Sequence, residues 1–182
     1  MMPGRKNKTK KTPVRQILKE ESMLQNRVSD GIGAVKKEHK KMLDDAVRVT
    51  FGDSLDLDAA LQAMHPEENR WDYLLGHNPS GQVVALEPHS ARQGDIATVI
   101  NKRKAAKDQL AGHLKPGTRV SKWFWVASGK VYFAKTEKMQ FCLDQNGIEF
   151  VGAKVLARSW QSTCLRQQRG STDGKMELTY RV

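Results

Sequence analysis

The chain has 182 residues and a net charge of +11, from 31 lysines and arginines against 20 aspartates and glutamates, with 38% hydrophobic and 28% charged residues. That length holds one domain of about 100 to 150 residues plus tails. No run approaches the roughly 18 apolar residues of a membrane span and no apolar segment follows the basic N-terminal cluster, so we expect a cytoplasmic protein with no membrane partner and no signal peptide.

Residues 1–13 read as a disordered basic tail carrying Arg5, Lys6, Lys8, Lys10 and Lys11, with almost nothing to bury. Residues 14–50 form a helical region. Ile17, Leu18, Met23, Leu24 and Val28, then Ile32, Val35, Met42, Leu43, Ala46 and Val47, are spaced for two helices interrupted at Gly31 and Gly33. Phe51-Gly52 closes that pair. Asp53-Ser54 then offers the N-cap of a short helix through Leu57, Ala60, Leu61 and Met64, with Asp56 and Asp58 on its solvated face and His65-Pro66 ending it.

From Arg70 to His89 two short apolar runs, Trp71 to Leu75 and Gln82 to Glu87, flank Asn78-Pro79-Ser80-Gly81, the pattern of a hairpin. Each arm holds one acid in apolar surroundings, Asp72 and Glu87, and a carboxylate in a half-buried strand needs a cation, a donor or a metal. If Gly76 faces Gly81, the two acids lie diagonally on one face. If it faces Gln82, they point to opposite faces. Both registers are open from the residues alone.

Pro88 is expected to stop the second strand, since it cannot donate to a ladder. Residues 92–114 form the longest helix, with Ile96, Val99, Ile100, Leu110 and Leu114 at three- and four-residue spacing. Arg103 and Lys107 fall within that stripe, where they snorkel, pair with a core acid or point at the hairpin carboxylates; Lys102 and Lys104 are placed on the outer face. Lys115-Pro116-Gly117 ends the helix. Val120 to Ser128 then reads as a buried strand with Trp123 and Trp125 on one face and Phe124 and Val126 on the other. Gly129 begins a turn, Val131 to Ala134 a short strand, residues 136–146 a helix and Ile148 to Val151 another strand. Residues 158–182 are read as a C-terminal hairpin extension. The expected fold is α/β (α+β), a central mixed sheet flanked by helices, with its core at residues 51–157.

Charge is unevenly spread. Residues 1–15 hold six basic side chains and no acid, while residues 53–72 hold six acids against Arg70 alone. A basic body with an acidic pocket suits an enzyme that uses a metal ion on nucleic acid: the cations attract phosphate and the acids hold the ion. Cys142 and Cys164 lack metal-ligand spacing, and the five histidines stand singly, so neither a zinc site nor a disulfide framework is expected. There is no Gly-rich phosphate loop and no nucleophile elbow.

The order of helices, a strand pair bearing Asp then Glu, a long helix, a strand, a shorter helix and a strand resembles the core of the PD-(D/E)XK nuclease superfamily, a restriction-endonuclease-like fold. The resemblance covers residues 40 to 155 or so and rests on Asp72 in RWDYLLG and Glu87 in VVALEPH, with WFWVASGKVYF and NGIEFVG as the later elements. It implies a Mg²⁺- or Mn²⁺-dependent endonuclease, a phosphodiester hydrolase with Asp72 and Glu87 as metal ligands. Trp71 stands where the family often has proline before the aspartate. His89 stands where its lysine, which orients or activates the attacking water, would be. That makes His89 a water-positioning group, leaves Arg103 or Lys107 to replace the lost charge, and gives the basic tail with Lys102, Arg103, Lys104 and Lys107 the role of holding DNA, favoured over RNA. Two other readings stand beside it: an inactive nuclease-like module that only binds nucleic acid, and an interaction subunit or homodimer docking through the N-terminal helices.

Overall fold

Phe124 and Val126 enter one core and Trp123 and Trp125 the other, the alternation a strand buried on both faces requires. The computed structural model describes residues 11–132 and 136–160. In it six strands form one sheet whose spatial order is the order of the chain: β1 (Ser29–Asp30), β2 (Phe51–Asp56), β3 (Tyr73–His77), β4 (Gln82–Ala91), β5 (Lys122–Val131) and β6 (Glu149–Phe150). β1 to β4 pair antiparallel, and β5 and β6 add in parallel. The helices are α1 (Pro13–Ile17), α2 (Lys37–Lys40), α3 (Asp45–Arg48), α4 (Leu57–Leu61), α5 (Asp95–Ala111) and α6 (Glu137–Gln145), with 3-10 turns at Met23–Arg27 and Ala157–Trp160.

The parallel strands need crossovers, and α5 and α6 supply them. One face of the sheet carries Leu74, Ala85, Trp123 and Trp125 packed with Leu18, Leu61, Val99, Leu110 and Leu143, from α1, α4, α5 and α6 or their ends. The other carries Tyr73, Leu75, Val84, Leu86 and Phe124 under Val35, Met42, Leu43 and Val47, around α2 and α3. The fold is therefore the expected central mixed sheet flanked by helices.

Several local expectations are corrected. The two N-terminal helices are instead short turns separated by their own caps: Ser22 accepts the Leu24 N–H, Asp44 accepts the Ala46 N–H, and Gly31 turns the chain at φ +56°. Order also begins before residue 14, because Pro13 opens α1 and Thr12 is 2% exposed. Asp53-Ser54 belongs to a strand, where pairing with β3 outweighs capping propensity, and α4 is capped by Asp56, which accepts the Ala59 N–H at 2.9 Å. Asp58 is not simply solvated; it pairs with Arg70 Nε at 2.8 Å.

β4 runs through Pro88 to Ala91. The β3 ladder has already ended at Tyr73–Leu86, so on that side no bond awaits a donor from Pro88, and β5 pairs with it in parallel from the other side. β5 likewise continues through Gly129 to Val131 without a turn. Residues 158–160 lie in a 3-10 turn rather than a strand; residues 161–182 of the predicted hairpin, and residues 133–135, lie outside the described residues.

Candidate active site

The β3–β4 register decides whether the two acids meet. Gly76 pairs with Val83 and His77 with Gln82, leaving residues 78–81 as the loop with Gly81 at φ +66°. This is neither register expected from sequence. One step beyond the Tyr73–Leu86 pair, Asp72 stands directly across from Glu87, and the Asp72 N–H donates to Glu87 Oε2 at 3.0 Å. Directly opposed residues share a face of the sheet.

The third member comes from α5. Lys102 Nζ donates to Glu87 Oε1 and lies 3.5 Å from Asp72 Oδ1. Lys102 is thus turned onto the carboxylates and does not occupy the outer face. The signal that could have found it is a stripe one step round from the one chosen: Val99 and Ala106 are fully buried, and Lys102 lies three residues after the first and four before the second. The small alanine lets the helix approach the sheet.

Glu87 is fully buried, and the Asp72 and Lys102 side chains are each 19% exposed. Burial pushes the Glu87 carboxyl up to about 8, the charge of Asp72 adding to this and Lys102 opposing it. Burial likewise raises Asp72, against the pull of Lys102. Burial alone would lower Lys102, but the Glu87 and Asp72 carboxylates outweigh it and raise its value. Burial is the largest influence on all three groups; only when both carboxyls are ionised do two negative charges face one ammonium, leaving one to be matched. A divalent cation matches it, and two hard carboxylate oxygens from separate strands, with water or phosphate completing the shell, are donors that Mg²⁺ accepts. Among the described residues no third His, Cys, Asp or Glu joins the pair.

The other predicted residues are dispersed. His89 lies two residues beyond Glu87 on the same strand face, and its Nδ1 contacts Ser90 through the backbone oxygen at 3.2 Å and the hydroxyl at 3.3 Å. Arg103 turns to Trp123, its guanidinium carbon 5.2 Å from the ring centroid, and does not approach the carboxylates as a replacement for the motif lysine. Lys104 and Lys107 are exposed on α5. Lys11 borders a surface hollow of about 820 Å³ with Arg15 and Lys115. Arg5, Lys6, Lys8 and Lys10 lie outside the described residues.

A second buried carboxylate has structural work. Asp53, fully buried in β2, accepts the N–H groups of Val14 at 3.1 Å and Arg15 at 3.0 Å, fastening α1 to the sheet. Gly76 makes room for it: a Cβ there would stand 1.9 Å from Asp53 Oδ1.

No protein family, curated protein or solved structure matches the chain. Among the described residues no helix is long and apolar enough to cross a membrane.

Proposed function

We propose that the chain is a metal-dependent endonuclease that hydrolyses phosphodiester bonds of nucleic acid, DNA before RNA, in the cytoplasm. The observation that carries this reading is the meeting of Asp72, Glu87 and Lys102, which come from β3's leading edge, β4 and α5 and are 15 residues apart at each step. Such a set matches what the resemblance to the PD-(D/E)XK superfamily asks for, with Lys102 taking the part of the lysine that His89 displaces.

In this reading Asp72 and Glu87 hold a Mg²⁺ or Mn²⁺ ion. When bound, the ion supplies positive charge that polarises the scissile phosphate and makes a coordinated water more acidic. Lys102, fixed by both carboxylates, positions the attacking water and offsets negative charge as it grows on the phosphate oxygens. Glu87 is held in place by the Asp72 N–H and aligned before substrate arrives. The excess of basic side chains draws the phosphate backbone without reading sequence.

The test is incubation of the purified full chain with plasmid, single-stranded DNA and RNA in Mg²⁺ or Mn²⁺. Cleavage is expected, falling at least about a hundredfold in Asp72→Asn and Lys102→Met with circular dichroism unchanged. Absence of cleavage under all these conditions, or cleavage undiminished in both variants, would exclude the enzyme. A second reading has its own observation: because Lys102 already bridges the carboxylates, the same site can serve as a structural ion pair in a module that binds nucleic acid without cutting it. That module would bind DNA in Mn²⁺ with Asp72→Asn indistinguishable from the parent chain.

A further inference from the structure

Consecutive residues of α5 send cations to two places. Lys102 reaches the carboxylates, while Arg103 lies over the Trp123 indole and rests against Gly147, where a Cβ would stand 2.8 Å from Nη2. With Lys107 and Arg119 it borders a groove of about 550 Å³ whose apolar lining includes Leu110, Leu114 and Trp123. Among the described residues no acid lines this groove and none of the three cations forms an ion pair. Arg103 Nε is buried without a hydrogen-bond partner.

Three cations bordering one hollow with no acid in its lining leave a positive field open to an anion. The hollow has the size of a small-molecule site, roughly 300 to 1,000 Å³. Its apolar lining constrains the ligand further. A duplex keeps its bases stacked inside and offers such a groove only phosphate and sugar, whereas an unpaired nucleotide brings a flat apolar base together with its phosphate.

We infer that this groove holds an unpaired nucleotide of a single-stranded nucleic acid, its phosphate on Arg103, Lys107 and Arg119 and its base on the apolar side formed by the partly buried Leu114 and Val120. The groove adjoins the carboxylates through the Lys102–Arg103 step and through Trp123, which packs edge-to-face on Trp71, the residue before Asp72, with ring centroids 5.0 Å apart. That a single-stranded segment is also what the enzyme cuts rests on the nuclease reading of Asp72 and Glu87. The binding does not.

The experiment measures fluorescence anisotropy of a labelled oligothymidylate of roughly 20 nucleotides, and of a blunt duplex of the same length, with the full chain in EDTA. The parent chain is expected to bind the oligothymidylate more tightly than the duplex. Lys107→Gln/Arg119→Gln, changing two exposed side chains, weakens oligothymidylate binding by about tenfold and leaves the duplex within about threefold. The slope of log affinity against log salt for the single strand becomes shallower by about 0.7, the contribution of the one phosphate held there. No binding of oligothymidylate by the parent chain, unchanged binding by the double variant, or an equal loss for both probes would overturn the inference. The two readings separate cleanly. If Lys107→Gln/Arg119→Gln loses the oligothymidylate while the parent chain cuts nothing, the groove stands and the nuclease falls. Asp72-dependent cutting with unaltered oligothymidylate binding in the double variant gives the reverse.

Discussion

Glu87 concentrates the tension of the site in one carboxyl group. Folded, it keeps its proton up to about pH 8; unfolded, it releases it near the ordinary value of 4.5. Between these values the folded chain binds the extra proton, so stability falls as pH rises through that window. Lys102 does not reverse this, because its raised value puts its own loss of stabilisation above 10.5. The melting temperature followed from pH 5 to pH 8.5 should therefore fall, by the equivalent of a few kcal/mol at about 1.4 kcal/mol per tenfold change in proton affinity. Glu87→Gln should flatten the profile; an identical slope in this variant would show that another group titrates. The sequence marked Asp72 and Glu87 as acids out of place, since an apolar strand leaves a carboxylate no solvent. It could not say that Lys102 rather than Arg103 answers them. Neighbouring residues on a helix point about 100° apart, and which one meets the sheet depends on how α5 rolls over Ala106.

At the scale of elements, legibility followed the strength of the local signal. α5, α6 and the alternation in β5 were readable, being set by periodicities that tertiary packing reinforces. The β3–β4 register was not, because it hangs on which residues the loop takes and a one-residue slip exchanges the faces. The region before β2 failed for a related reason: apolar spacing marks what is buried, and short turns satisfy it as well as a continuous helix does when caps such as Ser22 and Asp44 intervene. Caps can also be tested one at a time. Thr136 accepts the Met139 N–H at 3.2 Å and starts α6. Thr136→Ala is expected to cost about 1 kcal/mol by urea denaturation, with no change in the denaturant slope. A cost near zero would mean that α6 is held by Met139 and Leu143 alone.

For the molecule as a whole, the sheet is the shared wall of two cores, and neither can be lost without exposing the other's floor. Leu43 is fully buried on the face covered by α2 and α3 and forms an isolated parallel bridge with Val155. Leu43→Ala should destabilise the chain by about 2 to 5 kcal/mol while leaving a single cooperative transition by calorimetry. Two resolved transitions would mean that the α2–α3 layer melts independently. The strand order has a further consequence, for the nascent protein. Since each strand lies beside its predecessor, a chain leaving the ribosome can extend the sheet at one edge without ever inserting a strand between two that are already joined. The two acids are brought together when the fourth strand arrives, and their lysine follows only 15 residues behind the second of them, roughly one to three seconds of translation at about 5–20 residues per second.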